Sequence, residues 1–160
     1  MNIEFGAGET PTKKGYKTVD IRDLPGVDYV CNAWDIEKHI EANTVDRIFS
    51  RHFFEHLTFV QGEMTLEAWK TIIKPSGYIE MLLPNMSFHI EQWVTRSNLS
   101  HAKEGFWGKQ REGETETWDL HKSGYDKQSL NELLVAKGFS NIHFPPSLPK
   151  NLHVIFQATQ

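Results

Sequence analysis

The sequence predicts an α/β fold with a mostly parallel sheet that closes on an antiparallel hairpin at its C-terminal end. Three observations carry this prediction. Short β-prone runs alternate with longer connections from residue 1 to about residue 84, the order that a parallel sheet requires. The run Tyr78-Ile79-Glu80-Met81-Leu82-Leu83 is apolar almost throughout, as suits a mostly buried strand. Beyond a proline-rich turn at 145–149, Leu152, Val154, Phe156 and Ala158 alternate with His153, Ile155 and Gln157, which is the period of a strand with one face inward.

The chain is read as a single domain, residues 1–160, long enough to bury a substantial core. Hydrophobic residues make up 39% and charged residues 24%, a balance that excludes a disordered chain. The formal net charge of −4 argues against general nucleic-acid binding, because Lys13, Lys14, Lys17 and Arg22 form only a small cluster. Cys31 is the sole cysteine, so no internal disulfide can form, and a reducing cytoplasm is the simplest compartment. No apolar run is long enough to cross a membrane, and Glu4 and the glycines interrupt any leader-like segment.

Taken in order, residues 1–5 read as a short buried strand entering the turn Gly6-Ala7-Gly8. Glycine permits positive φ and close approach of a ligand to backbone amides, which makes this turn a candidate cradle. A second strand ends near Asp20, and the connection between them, residues 6–16, is too short for more than a rudimentary helix. Residues 27–31 read as a third strand after Pro25-Gly26, with Asn32, Ala33 and Trp34 just past its end. Residues 45–50 read as a fourth strand, ending in Ser50 and Arg51, and residues 51–57 turn into a helical segment. Met64, Ala68 and Ile72 give helical spacing over 61–73, stopped by Lys74-Pro75-Ser76-Gly77. The fifth strand, 78–83, follows.

Residues 87–95 fit a helix that would turn Phe88 or Ile90, Trp93 and Val94 inward. Residues 98–123 show no sustained period and are read as a long excursion, a lid or substrate-facing segment with Phe106, Trp107 and Trp118 as apolar anchors. Asp126 reads as the N-cap of a helix ending near Gly138, and strands at 141–144 and 152–158 close the fold.

Glu4-Phe5-Gly6-Ala7-Gly8, Val19-Asp20-Ile21, Pro25-Gly26-Val27-Asp28, Val45-Asp46, His52 with Glu55-His56-Leu57, Lys74-Pro75-Ser76-Gly77 and Pro84-Asn85, in this order, resemble the S-adenosylmethionine-dependent methyltransferases with the Rossmann-like fold, in the branch that acts on small molecules or glycans. The resemblance covers nearly the whole chain, with a reduced N-terminus, since Met1 stands almost at the first strand. It implies S-adenosylmethionine as cofactor and a cofactor site of Glu4, Gly6, Ala7, Gly8, Asp20, Ile21, Asn32, Ala33, Trp34, Ser50 and Arg51. Gly6 and Gly8 would admit the methionine part, with Glu4 orienting the loop or meeting the ammonium group. Asp20 would accept from the ribose hydroxyls, and Asn32 with the Ala33 amide would read adenine under the Trp34 ring. Relatives commonly carry an acid where Asn32 stands, and a third glycine where Thr10 stands.

Methyl transfer requires mainly that donor and acceptor be positioned. A histidine suits removal of an acceptor proton at neutral pH. His52, His56, His89 and His121 are the candidate bases, with His52 and His56 favoured because they stand just beyond the fourth strand and His121 reaching in from the excursion. No metal is assigned, and the expected partners are a small-molecule or glycan acceptor and a second copy lending a wall to the pocket. A nicotinamide site is disfavoured by Pro11, which stands where the dinucleotide fingerprint has its third glycine, and by Asp20, which comes earlier than the acid expected about 20 residues on. Two other readings remain open. His52-Phe53-Phe54-Glu55-His56 matches the inverted zinc-peptidase pattern, and the same fold could serve as a non-catalytic module.

Overall fold

The described residues, 1–159 of a computed structural model, form seven strands in one sheet: β1 (Asn2–Phe5), β2 (Lys17–Asp20), β3 (Tyr29–Val30), β4 (Val45–Arg51), β5 (Ile73–Pro84), β6 (Phe139–His143) and β7 (Asn151–Ala158). Their order is β3-β2-β1-β4-β5-β7-β6. The first five pair in parallel, while β7 is antiparallel to both β5 and β6. The chain runs outward from β1 to β3 and then returns to β1's other side with β4. The strand order therefore reverses between β1 and β4, and their carboxyl ends open a crevice of the kind that binds ligands in such sheets.

Each helix has a local start signal. In α1 (Phe59–Ile72) Thr58 and Gln61 form a reciprocal capping box, satisfying two amides that the helix cannot. Asp126 and Ser129 do the same for α4 (Lys127–Ala136). Asn85 caps α2 (Met86–Thr95), and Asn98 caps α3 (Leu99–Trp107). Alternate strand residues, among them Ile3, Phe5, Ile48, Ile79, Met81, Val154 and Phe156, join Leu66, Trp69 and Ile72 of α1 and Leu130 and Leu134 of α4 in one core. The Trp69 ring stands 5.0 Å from that of Phe5.

The opposite-facing strand positions are more polar. Residues 6–16 contain no helix, in keeping with the short crossover, and their Lys13 lies over the Phe49 ring at 4.3 Å. Lys13 also reaches Glu80, which accepts at 3.0 Å from the His153 imidazole when that nitrogen carries its proton. A loop thus lies over part of this face of the sheet.

Several expectations change, and β5 already begins at Ile73, so that Lys74-Pro75-Ser76-Gly77 lie within the strand. Residues 99–107 are helical, so the irregular excursion shrinks to about 109–119. In α2 the buried residues are His89 and Gln92, whereas Ile90 and Val94 are 49% and 73% exposed. The reason is the partner: α2 packs on α3, where the His89 ring sits against Gly105, and Trp93 meets Phe106 and Trp107 at 5.8 Å each. Met64 is likewise exposed, and Leu66 and Trp69 take its place in the core of α1.

Candidate active site

Two adjoining cavities open at the carboxyl edge of the sheet. The first, about 400 Å³, is lined by the ends of β1 to β4, including Gly6, Asp20, Ile21, Asn32, Ala33 and Trp34. The second, about 470 Å³, lies toward α2 and α3 and includes His52, Glu55, His56, His89, His101 and His121. His52, His56 and Asp119 line both.

The turn after β1 depends on glycine at two positions. Gly6 stands at φ 66° and Gly8 at φ 57°, a region that side chains rarely adopt. A Cβ on Gly6 would also lie 2.5 Å from the Phe53 ring, so the loops after β1 and β4 meet closely here. Glu4, Ala7 and Gly8 are not among the residues lining the first cavity, and neither are Ser50 and Arg51. Glu4 is buried and accepts from the Thr12 and Lys13 amides at 2.8 Å each, so it shapes the loop. The Gly8 amide donates to Asp20 at 3.0 Å, which ties the turn to the end of β2. Ser50 is buried at the end of β4, and Arg51 is exposed.

Asp20 accepts from the Arg22 amide at 3.0 Å and from its guanidinium at 3.1 and 3.3 Å. Burial pushes the carboxyl up, but the Arg22 hydrogen bonds and charge, together with the Gly8 amide, outweigh it and hold Asp20 below its ordinary value. Just past β3, the Asn32 side-chain Nδ2 donates to Asp35 at 2.9 Å, a bond that does not use its Oδ1. Cys31 also lines this cavity; burial, foremost, raises its thiol and keeps it a poor nucleophile.

His52 follows β4 in a left-handed conformation, φ 49°. Its Nδ1 lies 3.4 Å from Glu55 Oε1. A 3-10 turn, Phe54–His56, carries Glu55 and His56. His52 precedes that turn, so the two histidines do not share a helix face as the zinc-peptidase pattern requires. His56 Nδ1 donates to the Leu120 carbonyl at 3.1 Å, and His121 Nδ1 to the Gly105 carbonyl near the end of α3 at 2.8 Å. A carbonyl can only accept, so both rings carry their proton on Nδ1, and Nε2 keeps its lone pair in the neutral ring. Burial, foremost, lowers His121 below the ordinary imidazole value and favours that neutral form.

Several lining residues were not singled out from the sequence for this site: Arg22, Gln61, Trp118 and Asp119. Arg22 could have been found from its position two residues after Asp20. Asp119 had no local signal, because only the return of 109–119 across the strand ends brings it there.

No protein-family profile matches the chain, and no curated protein sequence matches it. Solved structures do. A SAM-dependent methyltransferase from Archaeoglobus fulgidus superposes with a TM-score of 0.66 at 15% identity, over 98% of this chain and 85% of that one. DhpI in complex with SAM and HEP gives 0.68 at 14%, over 98% and 77%. The 1,6-didemethyltoxoflavin-N1-methyltransferase of Burkholderia thailandensis, with 1,6-didemethyltoxoflavin and S-adenosylhomocysteine bound, gives 0.64 at 13%, over 99% and 71%. In strand order, antiparallel closing hairpin and the crevice between β1 and β4, the chain has the Rossmann-like fold of the S-adenosylmethionine-dependent methyltransferases.

Proposed function

We propose that the chain is an S-adenosylmethionine-dependent methyltransferase acting on a small-molecule or carbohydrate-like acceptor. One observation carries this reading: the cavity at the ends of β1 to β4 shares its wall, at His52 and His56, with a second, polar cavity. A donor in one and an acceptor in the other would meet at that wall, and holding two reactants in line supplies several kcal/mol of barrier reduction.

The residues of the first cavity fit the cofactor. The Gly6-Ala7-Gly8 turn presents backbone where a Cβ on Gly6 would collide with Phe53, and it would take the methionine part. Asp20 would accept from the ribose hydroxyls, which would displace the Arg22 guanidinium; the Arg22 side chain is 38% exposed and can swing outward. The Asn32 side-chain Oδ1, not used in the bond to Asp35, would accept from the adenine amino group beside Ala33, Trp34 and Ile21. Glu4 acts indirectly, through the loop it holds, and Ala7, Gly8, Ser50 and Arg51 act as backbone and strand-end support. When bound, the cofactor supplies a methyl carbon already activated by its sulfonium.

On the acceptor side, His52 is the base. Its Nδ1 faces the Glu55 carboxylate, which orients the ring and leaves Nε2 to take the acceptor's proton. His56 and His121 form the adjoining wall. Among the described residues no helix is long and apolar enough to cross a membrane, and a reducing cytoplasm suits the lone Cys31.

Calorimetry with S-adenosylmethionine and S-adenosylhomocysteine tests the reading. Micromolar binding is expected, lost in Asp20→Ala and kept in His52→Ala. No heat with either compound at high micromolar concentration would overturn it, and binding without methyl transfer to any small-molecule or glycan acceptor would favour a non-catalytic module.

A further inference from the structure

Glu55 is 2% exposed. Among the described residues one of its oxygens, Oε2, is buried with no hydrogen-bond partner, and the other reaches His52 Nδ1 at 3.4 Å and His56 Nε2 at 4.0 Å. A buried carboxylate left this way loses several kcal/mol of hydration without recovering it. Two imidazoles stand over it. One ligand atom from each of Glu55, His56 and His121 lies within 4.8 Å of the others, and the two rings meet edge to face, 5.1 Å between centroids.

The surroundings prepare these groups to bind a cation. Each histidine donates its Nδ1 proton to a backbone carbonyl, the arrangement that fixes the tautomer and orients Nε2 in metal-ligating histidines. The two segments are also stitched together: the Glu55 carbonyl accepts from the Lys122 and Ser123 amides at 2.8 and 3.2 Å. With metal–ligand bonds of about 2.0–2.2 Å, side-chain shifts on the order of 1 Å would bring the three donors into contact with one ion.

We propose that Glu55, His56 and His121 form a site for one divalent transition-metal ion of the zinc class, with its remaining coordination positions open to the 470 Å³ cavity. Two imidazoles and a carboxylate are a donor set for zinc or cobalt rather than for magnesium, which favours oxygen ligands. The open positions would hold an acceptor through an oxygen and lower the pKa of its hydroxyl, and His52, outside the donor set, would receive the proton. The site itself stands on the geometry of these three residues, and only the role given to the acceptor rests on the methyltransferase reading.

The test uses the whole protein, freed of metal by chelation and titrated with cobalt(II) chloride and then zinc chloride, without cofactor. One equivalent of cobalt is expected, with visible absorption bands displaced by zinc. Affinity should fall at least about 100-fold in Glu55→Gln and in His121→Ala, while His101→Ala binds as wild type. Glu55→Gln keeps the side chain's size, and circular dichroism spectra and melts confirm that each variant is folded. Absence of saturable binding, binding unchanged in folded Glu55→Gln and His121→Ala, or its loss in His101→Ala would overturn the proposal. Metal binding without S-adenosylhomocysteine binding would sink the methyltransferase reading and leave the site standing, and the reverse result would do the opposite.

Discussion

At Asp20 opposing effects are resolved within a few ångströms. Burial disfavours the charged carboxylate, but four hydrogen bonds from Gly8 and Arg22 hold it ionised. A carboxyl whose folded pKa is depressed contributes stability that is fully present above its unfolded value, near 3.8, and is lost as pH falls through the folded one. Wild type should therefore lose urea resistance more steeply than Asp20→Asn as pH drops from about 5 toward 2. Parallel losses in circular dichroism melts would show that the Asp20 network contributes nothing. His52, in a left-handed conformation that non-glycine residues rarely hold, stands where both cavities meet. Such strain persists only where the surroundings over-determine it, and here the His52 amide is held by the Leu82 carbonyl at 2.8 Å.

Among the elements, α2 and α3 behave least like their sequences suggest. Neither shows an apolar stripe, because each buries its small and polar residues against the other. Gly105 lets α3 approach α2 so closely that an added Cβ would strike the buried His89 ring. Replacing a helical glycine by alanine normally gains about 1 kcal/mol, whereas overpacking costs typically about 1–3 kcal/mol. Because His89 has no exposed space to move into, the clash outweighs the propensity gain. Gly105→Ala should be less stable than wild type by about 1–2 kcal/mol in chemical denaturation, and a stabilised variant would show that the helices separate easily. The same carbonyl, Gly105 O, anchors His121, so this packing also sets one wall of the second cavity.

For the whole molecule, stability should grade outward from the sheet's centre. β4 and β5 are paired on both sides and feed the core, while residues 109–119 lack a regular ladder. Amide exchange should be slowest in β4 and β5 and fastest across 109–119; equal protection in that segment would mean that it packs as firmly as the core.

Much of the fold was legible because it rests on local patterns. Period-two alternation marked β7, near-continuous apolar character marked β5, and Asp126 marked the start of α4. The strand-end residues Gly6, Asp20, Asn32 and His52 were legible for the same reason, since a strand's end places its next residue at the crevice. α3 was not, because a helix that packs through Ala102 and Gly105 needs no large apolar residue every third or fourth position. The sequence by itself thus determined the α/β order and which residues stand at the strand ends. Only the tertiary structure decided that His56 and His121 face each other over Glu55, whose Oε2 has no hydrogen-bond partner among the described residues. Their meeting depends on hydrogen bonds between residues 54–56 and 120–123, and no local periodicity encodes a contact between segments so far apart in the chain.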